Sequence, residues 1–123
     1  MNTITLKQIK GVETNTLERI PAIRQSVGNN WFPCGNCWLT VKGNSEIVRF
    51  FKKHGEALTN DRYAIGMVEV WKQYDGGYAI SFRYLGNTAT EQQSLNFREP
   101  LYRELQKQLK SVGIEAGLYS YVD

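Results

Sequence analysis

Through the last two-thirds of the chain the apolar residues switch between a two-residue and a three-to-four-residue repeat, and each switch predicts a change of element. Trp38-Leu39-Thr40-Val41-Lys42 alternates and reads as a strand closed by Gly43-Asn44. Ile47, Phe50, Phe51 and His54 then recur at helical spacing, with Asn44 or Ser45 placed to cap, Glu46 in the first turn, Lys52 and Lys53 in the last, and Gly55 beyond. Two aromatic and β-branched runs, 63–74 and 78–85, flank Asp75-Gly76-Gly77. Glycines beside an aspartate between such runs signal a hairpin, because the primed turns need positive φ. Leu101, Leu105, Leu109 and Val112 form one stripe of a last helix, which ends at Gly113 and tolerates Pro100 in its first turn. Residues 114–122 alternate again as a final strand.

From Trp38 onward the order is β-α-β-β-α-β, the split double βαβ unit of ferredoxin-like folds. The expectation is an α+β two-layer sandwich with a four-stranded antiparallel sheet and both helices on one face. Residues 37–123 would form this core, and residues 1–36 an N-terminal extension of the same single domain. In the extension, Ile4 to Ile9 alternates weakly and suggests a short edge strand or an unanchored arm. Leu17, Ile20, Ile23 and Val27 recur at helical spacing between a Thr16 cap and a Gly28 stop. Pro21 interrupts that pattern, since its ring clashes with the carbonyl four residues back, so the helix begins near Pro21 or has an irregular first turn.

Composition narrows the class. A chain of 123 residues falls in the single-domain range, and 41% hydrophobic with 22% charged residues is ordinary for a globular protein. No segment approaches the roughly 18–20 apolar residues of a membrane span, so no membrane role is expected. The first residues lack a basic region followed by an apolar run, which makes a cytoplasmic location the expectation. The net charge of +3 is spread along the chain without the like-charge blocks of a nucleic-acid tail. The aromatic residues, 3 Trp, 7 Tyr and 5 Phe, change the picture more, because large rings are either core filler or contact surface.

Strand parity separates the two. With Leu39, Val41, Val68, Val70, Ile80 and Phe82 turned toward the helices, Trp38, Thr40, Lys42, Met67, Glu69, Trp71, Ala79, Ser81 and Arg83 turn outward. With Ile114, Ala116, Leu118 and Val122 inward, Glu115, Tyr119 and Tyr121 also face out. The uncovered face is therefore expected to carry Trp38, Trp71, Tyr119 and Tyr121 with Lys42 and Arg83 among them. Exposed apolar sheet faces usually mark protein interfaces, which ranks a non-catalytic protein that binds a protein partner or a second copy of itself first. Aromatics beside cations also suit base stacking on a single strand, which ranks a nucleic-acid-binding module second. The arrangement is similar to that of RNA-recognition motifs. However, Leu39-Thr40-Val41-Lys42-Gly43-Asn44 lacks the aromatic in second place of the short motif, and Gly77-Tyr78-Ala79-Ile80-Ser81-Phe82 leaves the longer motif's pattern after three positions. No family membership follows.

Cys34-Gly35-Asn36-Cys37 is the only constellation that looks like chemistry. A thioredoxin-type site opens a helix, whose dipole makes a thiolate available, whereas this pair runs into a strand. A structural zinc needs four ligands, and Cys34, Cys37 and His54 leave the set incomplete unless a carboxylate or a second subunit completes it. Two ordinary thiols before a strand is the first reading, with a metal site and a disulfide or redox role behind it. His54 has no visible nucleophile or carboxylate partner, and no GxSxG, P-loop, HExxH or Rossmann glycine pattern occurs. No cofactor and no enzyme activity are implied. Small chains of this kind are common among phage and mobile-element accessory proteins, an association that no particular residue here carries.

Overall fold

A reciprocal capping box starts the first helix. The Thr5 hydroxyl accepts from the Gln8 N–H at 3.1 Å, and the Gln8 side chain accepts from the Thr5 N–H at 3.0 Å. In this computed structural model, which describes residues 4–30, 33–59, 61–83 and 94–122, the helix so capped is α1 (Leu6–Leu17). The short strand or loose arm expected over Ile4 to Ile9 is thus replaced by helix. Ile9, Val12 and Thr16 are buried on one stripe, and that spacing outweighs a weak alternation over a few residues. α2 (Ile20–Val27) takes Pro21 into its first turn, where the missing N–H costs no bond, and stops at Gly28. Thr16 does not cap it. Its hydroxyl donates back to the Val12 carbonyl at 2.7 Å, inside α1.

The remaining elements are β1 (Gly35–Val41), α3 (Glu46–His54), β2 (Glu56–Thr59), β3 (Arg62–Ile65), β4 (Val68–Lys72), β5 (Tyr78–Phe82), α4 (Leu95–Ser111) and β6 (Gly117–Val122). The strands form one open sheet in the order β2-β3-β4-β5-β1-β6, with every neighbouring pair antiparallel. The α+β class stands, but the sheet has six strands where four were expected.

The two extra strands have distinct origins. The single strand expected over 63–74 folds back on itself at Gly66-Met67, with Ile65 paired to Val68. Gly66 has φ 61°, the left-handed value that opens a two-residue hairpin loop. The Glu13 carboxylate of α1 accepts the Met67 N–H at 3.0 Å and clamps this turn to the helix layer. β2 is short and mostly exposed, and its two apolar residues, Ala57 and Leu58, are adjacent, so it carries none of the alternation by which a strand is read.

Several boundaries move for local reasons. α4 begins at Leu95, so Pro100 lies inside the helix and not in its first turn. The added turn is held because Leu95 and Phe97 bury their side chains ahead of Leu101, Leu105 and Leu109. The helix closes in a Schellman arrangement, with Ile114 N–H donating to the Leu109 carbonyl at 2.9 Å and Gly113 N–H to the Lys110 carbonyl at 3.0 Å. The strand expected from 114 accordingly begins at Gly117. The β4–β5 hairpin is present, but its loop is not a primed turn. Gly76 N–H donates to the Gln73 carbonyl at 3.2 Å and Gln73 N–H to the Gly77 carbonyl at 2.8 Å, a type I turn completed by Gly76 at φ 86°.

α3 packs on β2, β3 and β4, α4 on β1 and β6, and α1 and α2 on α4. One core joins these layers through Phe51, Val70, Ile80, Leu39, Leu105, Ile9 and Val27. Among the described residues no helix is long and apolar enough to cross a membrane.

Gly66→Ala tests the turn. A Cβ at this position meets the Glu13 carboxylate, and the positive φ strains any L side chain. The substitution is expected to lower unfolding free energy by about 1–3 kcal/mol, read as a drop in the urea midpoint at unchanged slope. An unchanged midpoint would show that the turn rearranges freely.

Candidate binding face and a slot in the sheet

The register places opposite chemistry on the two faces. Leu39 pairs with Ile80, and Ile80 with Val70, beneath the helices. One residue away in each strand, Thr40, Ala79 and Trp71 are matched on the other face, where Trp38 lies opposite Tyr119 and Asn36 opposite Tyr121. The small outward residues of β5, Ala79 and Ser81, let rings from the flanking strands lean over them. Trp38 of β1 and Trp71 of β4 meet edge to face with centroids 5.6 Å apart, and Ala79 and Ser81 are buried.

Trp38 is the hub of the cluster. Its ring lies 5.1 Å from Tyr119 and 5.9 Å from Tyr121, and those two tyrosines are 6.1 Å apart. These separations fall in the range where aromatic pairs attract beyond their area burial. Tyr119 and Tyr121 keep 50% and 41% of their surface exposed. The Trp71 indole N–H donates to the Ser81 hydroxyl at 3.0 Å. The Arg62 guanidinium lies 5.5 Å from the Trp71 ring and donates to Glu69 Oε1 at 3.1 Å, Glu69 being only 6% exposed. The indole nitrogen of Trp38 is buried without a hydrogen-bond partner among the described residues.

The ladder between β1 and β5 stops at Leu39 and Ile80, although the register would bring Cys37 opposite Phe82. Side chains take over the backbone groups so released. Arg98 Nη2 donates to the Cys37 carbonyl at 3.1 Å, the Phe82 N–H donates to the Tyr102 hydroxyl at 3.0 Å, and the Cys37 N–H donates to Asn36 Oδ1 at 2.8 Å. Arg98 is further braced over the Tyr102 ring, 5.2 Å from its centroid. A recess of about 260 Å³ opens here, lined by Trp38, Trp71, Ser81, Glu69 and the three arginines Arg62, Arg83 and Arg98.

Four of the residues expected on the open face, Trp38, Trp71, Tyr119 and Tyr121, come together. Arg83 joins them at the recess. Lys42 lies beyond the end of β1, lining a separate depression with Asn44, Asp75 and Glu115. Arg62, Glu69, Ser81 and Arg98 complete the site without having been singled out as binding residues. Arg62 was hidden by the unrecognised β3–β4 turn, and Arg98 by the late start assigned to the last helix.

The structure does not bring Cys34, Cys37 and His54 together. Both cysteines are free thiols. Three extended residue steps separate their Cα atoms by roughly 10 Å, beyond the reach of about 7 Å that a disulfide allows. Cys37 is wholly buried on the helix side of β1. Its burial pushes the thiol from the usual 9.0 up to about 11, against the pull of Arg98. Burial likewise pushes the Tyr102 phenol up to about 12. His54 is exposed at the end of α3, off the buried stripe of Ile47, Val48 and Phe51, with its ring 4.6 Å from that of Phe50. Among the described residues no group of three or more His, Cys, Asp or Glu could hold a metal ion.

The chain matches no protein-family model, no curated protein and no solved structure. Its functional reading rests on the geometry of this face.

The raised Cys37 value sets a pH dependence. Below about pH 9 the thiol is neutral in both states; between about 9 and 11 the unfolded chain ionises while the folded chain holds its proton, so stability falls as pH rises. Urea midpoints are expected to decline across that window, less steeply in Cys37→Ala than in the unmodified chain. Identical slopes for the two proteins would show that the thiol is not held neutral by the fold.

Proposed function

We propose that this protein is a non-catalytic binding module that takes a single-stranded nucleic acid across the helix-free face of its sheet. The observation that carries the proposal is the ring cluster of Trp38, Trp71, Tyr119 and Tyr121, with both tyrosines open to solvent and arginines alongside. Every base has a π-face, so a run of aromatic platforms accepts successive bases without reading their edges. Arginine and aromatic side chains are common at protein interfaces too; what favours a phosphate-bearing partner is that the guanidinium groups of Arg62 and Arg98 are held in fixed positions at the recess beside the rings. The net charge of +3 supports attraction of a polyanion.

Anisotropy titrations with labelled oligothymidylate test the proposal. Binding at low salt is expected to weaken steeply as salt rises. Tyr119→Ala and Tyr121→Ala are each expected to cost about 1–3 kcal/mol of affinity, roughly 5- to 150-fold. No binding at low salt, or binding indifferent to salt, sinks the idea.

A second reading has its own observation. Among the described residues β6 pairs with β1 alone and forms one edge of the sheet. Its residues, Gly117 to Val122, include no charge and no proline, and Val122 is 61% exposed. Edge strands without such guards are templates for pairing, which supports a homodimer joined through β6. Light scattering at high micromolar concentration is expected to show a dimer that Val122→Lys converts to monomer; a monomer at every concentration removes this reading.

A further inference from the structure

We infer that the slot between β1 and β5 is a built anion seat, and that it holds a phosphate of the strand bound on the open face. The polymer part of this inference rests on the nucleic-acid reading above; the seat itself does not.

The slot is not a frayed sheet edge. On one side, β6 stays paired with β1 as far as Gly35 and Val122; on the other, β4 stays paired with β5 as far as Val68 and Phe82. The ladder between β1 and β5, both flanked by further strands, is the one that opens here. Buried backbone groups released in this way are costly unless they find partners, and here α4 supplies them through Arg98 and Tyr102.

The consequence is a cation carried through the sheet. Arg98 belongs to a helix on the core side, yet it lines a recess shared with Trp38, Trp71, Arg62 and Arg83 of the open face. Two of the three guanidinium groups are already held in place. Arg98 is fixed by the Cys37 carbonyl and the Tyr102 ring, and Arg62 by Glu69 and the Trp71 ring. Their ordering cost is met before a ligand arrives, which is how preorganised sites gain affinity. Glu69 pairs with Arg62, while Arg83 makes no ion pair among the described residues. Planar, fixed guanidinium forks match phosphate oxygens better than a mobile ammonium does. The indole walls of the recess belong to the same cluster that offers stacking platforms. A nucleotide needs both features side by side.

Arg83 is the residue to change, because it is exposed and makes no ion pair among the described residues. Arg83→Gln therefore leaves the packing intact, and Lys53→Gln on exposed α3 is the matched charge control. Oligothymidylate is titrated at several salt concentrations, and pyrophosphate is titrated separately while the indole N–H signals of Trp38 and Trp71 are followed by NMR. Arg83→Gln is expected to weaken oligothymidylate about three- to tenfold and to lower the salt slope by about 1, with no change for Lys53→Gln. Pyrophosphate is expected to shift both indole signals in the unmodified protein and far less in Arg83→Gln.

If Arg83→Gln behaves like Lys53→Gln while Tyr119→Ala still weakens the oligonucleotide, the seat is overturned and the stacking reading survives. If pyrophosphate shifts the indoles but no oligonucleotide binds, the seat stands and the strand assignment falls. Oligoaspartate displacing pyrophosphate and outcompeting oligothymidylate overturns the phosphate assignment, and indifference to all three anions overturns seat and strand together.

Discussion

The pairing of Leu39 with Ile80 and of Ile80 with Val70 sets the parity of the whole sheet, and every feature of the open face depends on it. Side chains alternate with a period of two, so a slip of one residue on any of these strands would exchange its two faces. In β1 it would drive Trp38 toward α4 and expose Leu39. Burying these aliphatic residues against the helices is worth roughly 1.5–3 kcal/mol for each side chain, which makes the alternative registers uncompetitive. The aromatic cluster is thus positioned by the core on the opposite side of the same strands. It does not have to organise the sheet itself.

The same strands show where regular structure yields to something else. β1 and β5 could continue their ladder to Cys37 and Phe82, and they part instead. Arg98 and Tyr102 stand one helical turn apart on α4, so one helix face delivers both a donor for the Cys37 carbonyl and an acceptor for the Phe82 N–H. The fold replaces backbone bonds by side-chain bonds and gains a charged group within reach of the opposite face. Cys37, buried and hard to ionise, thus lines the same recess as Arg62, Arg83 and Arg98.

Much of this was legible in the chain because the signals were local and mutually consistent. Leu39 and Val41, Val68 and Val70, and Ile80 and Phe82 each declare an inner face, which leaves Trp38, Trp71 and Ser81 on the outer one. Asp75-Gly76-Gly77 declares a hairpin even though the turn it makes is of another type. The failures occur where the deciding interaction is distant or where a short pattern competes with a longer one. Gly66 looks like a weak point in one strand until the Glu13 carboxylate closes on the next N–H. β2 has no apolar face to announce it, and it exists because β3 offers an edge. Over Ile4 to Ile9 the weak alternation misleads, because the Thr5-Gln8 capping box and the buried stripe of Ile9, Val12 and Thr16 favour helix.

The chain by itself determined which residues could share a face, because strand alternation and helical periodicity are geometric properties of consecutive residues. It determined the α+β class and the composition of the aromatic cluster for the same reason. Only the tertiary structure decided how many strands the sheet holds, that Lys42 stands apart from the rings, and that Arg62, Arg83 and Arg98 converge. Those outcomes turn on contacts between residues far apart in the chain. Arg98 and Cys37 are 61 residues apart, and no local pattern records that a helix side chain will meet a carbonyl where two inner strands separate.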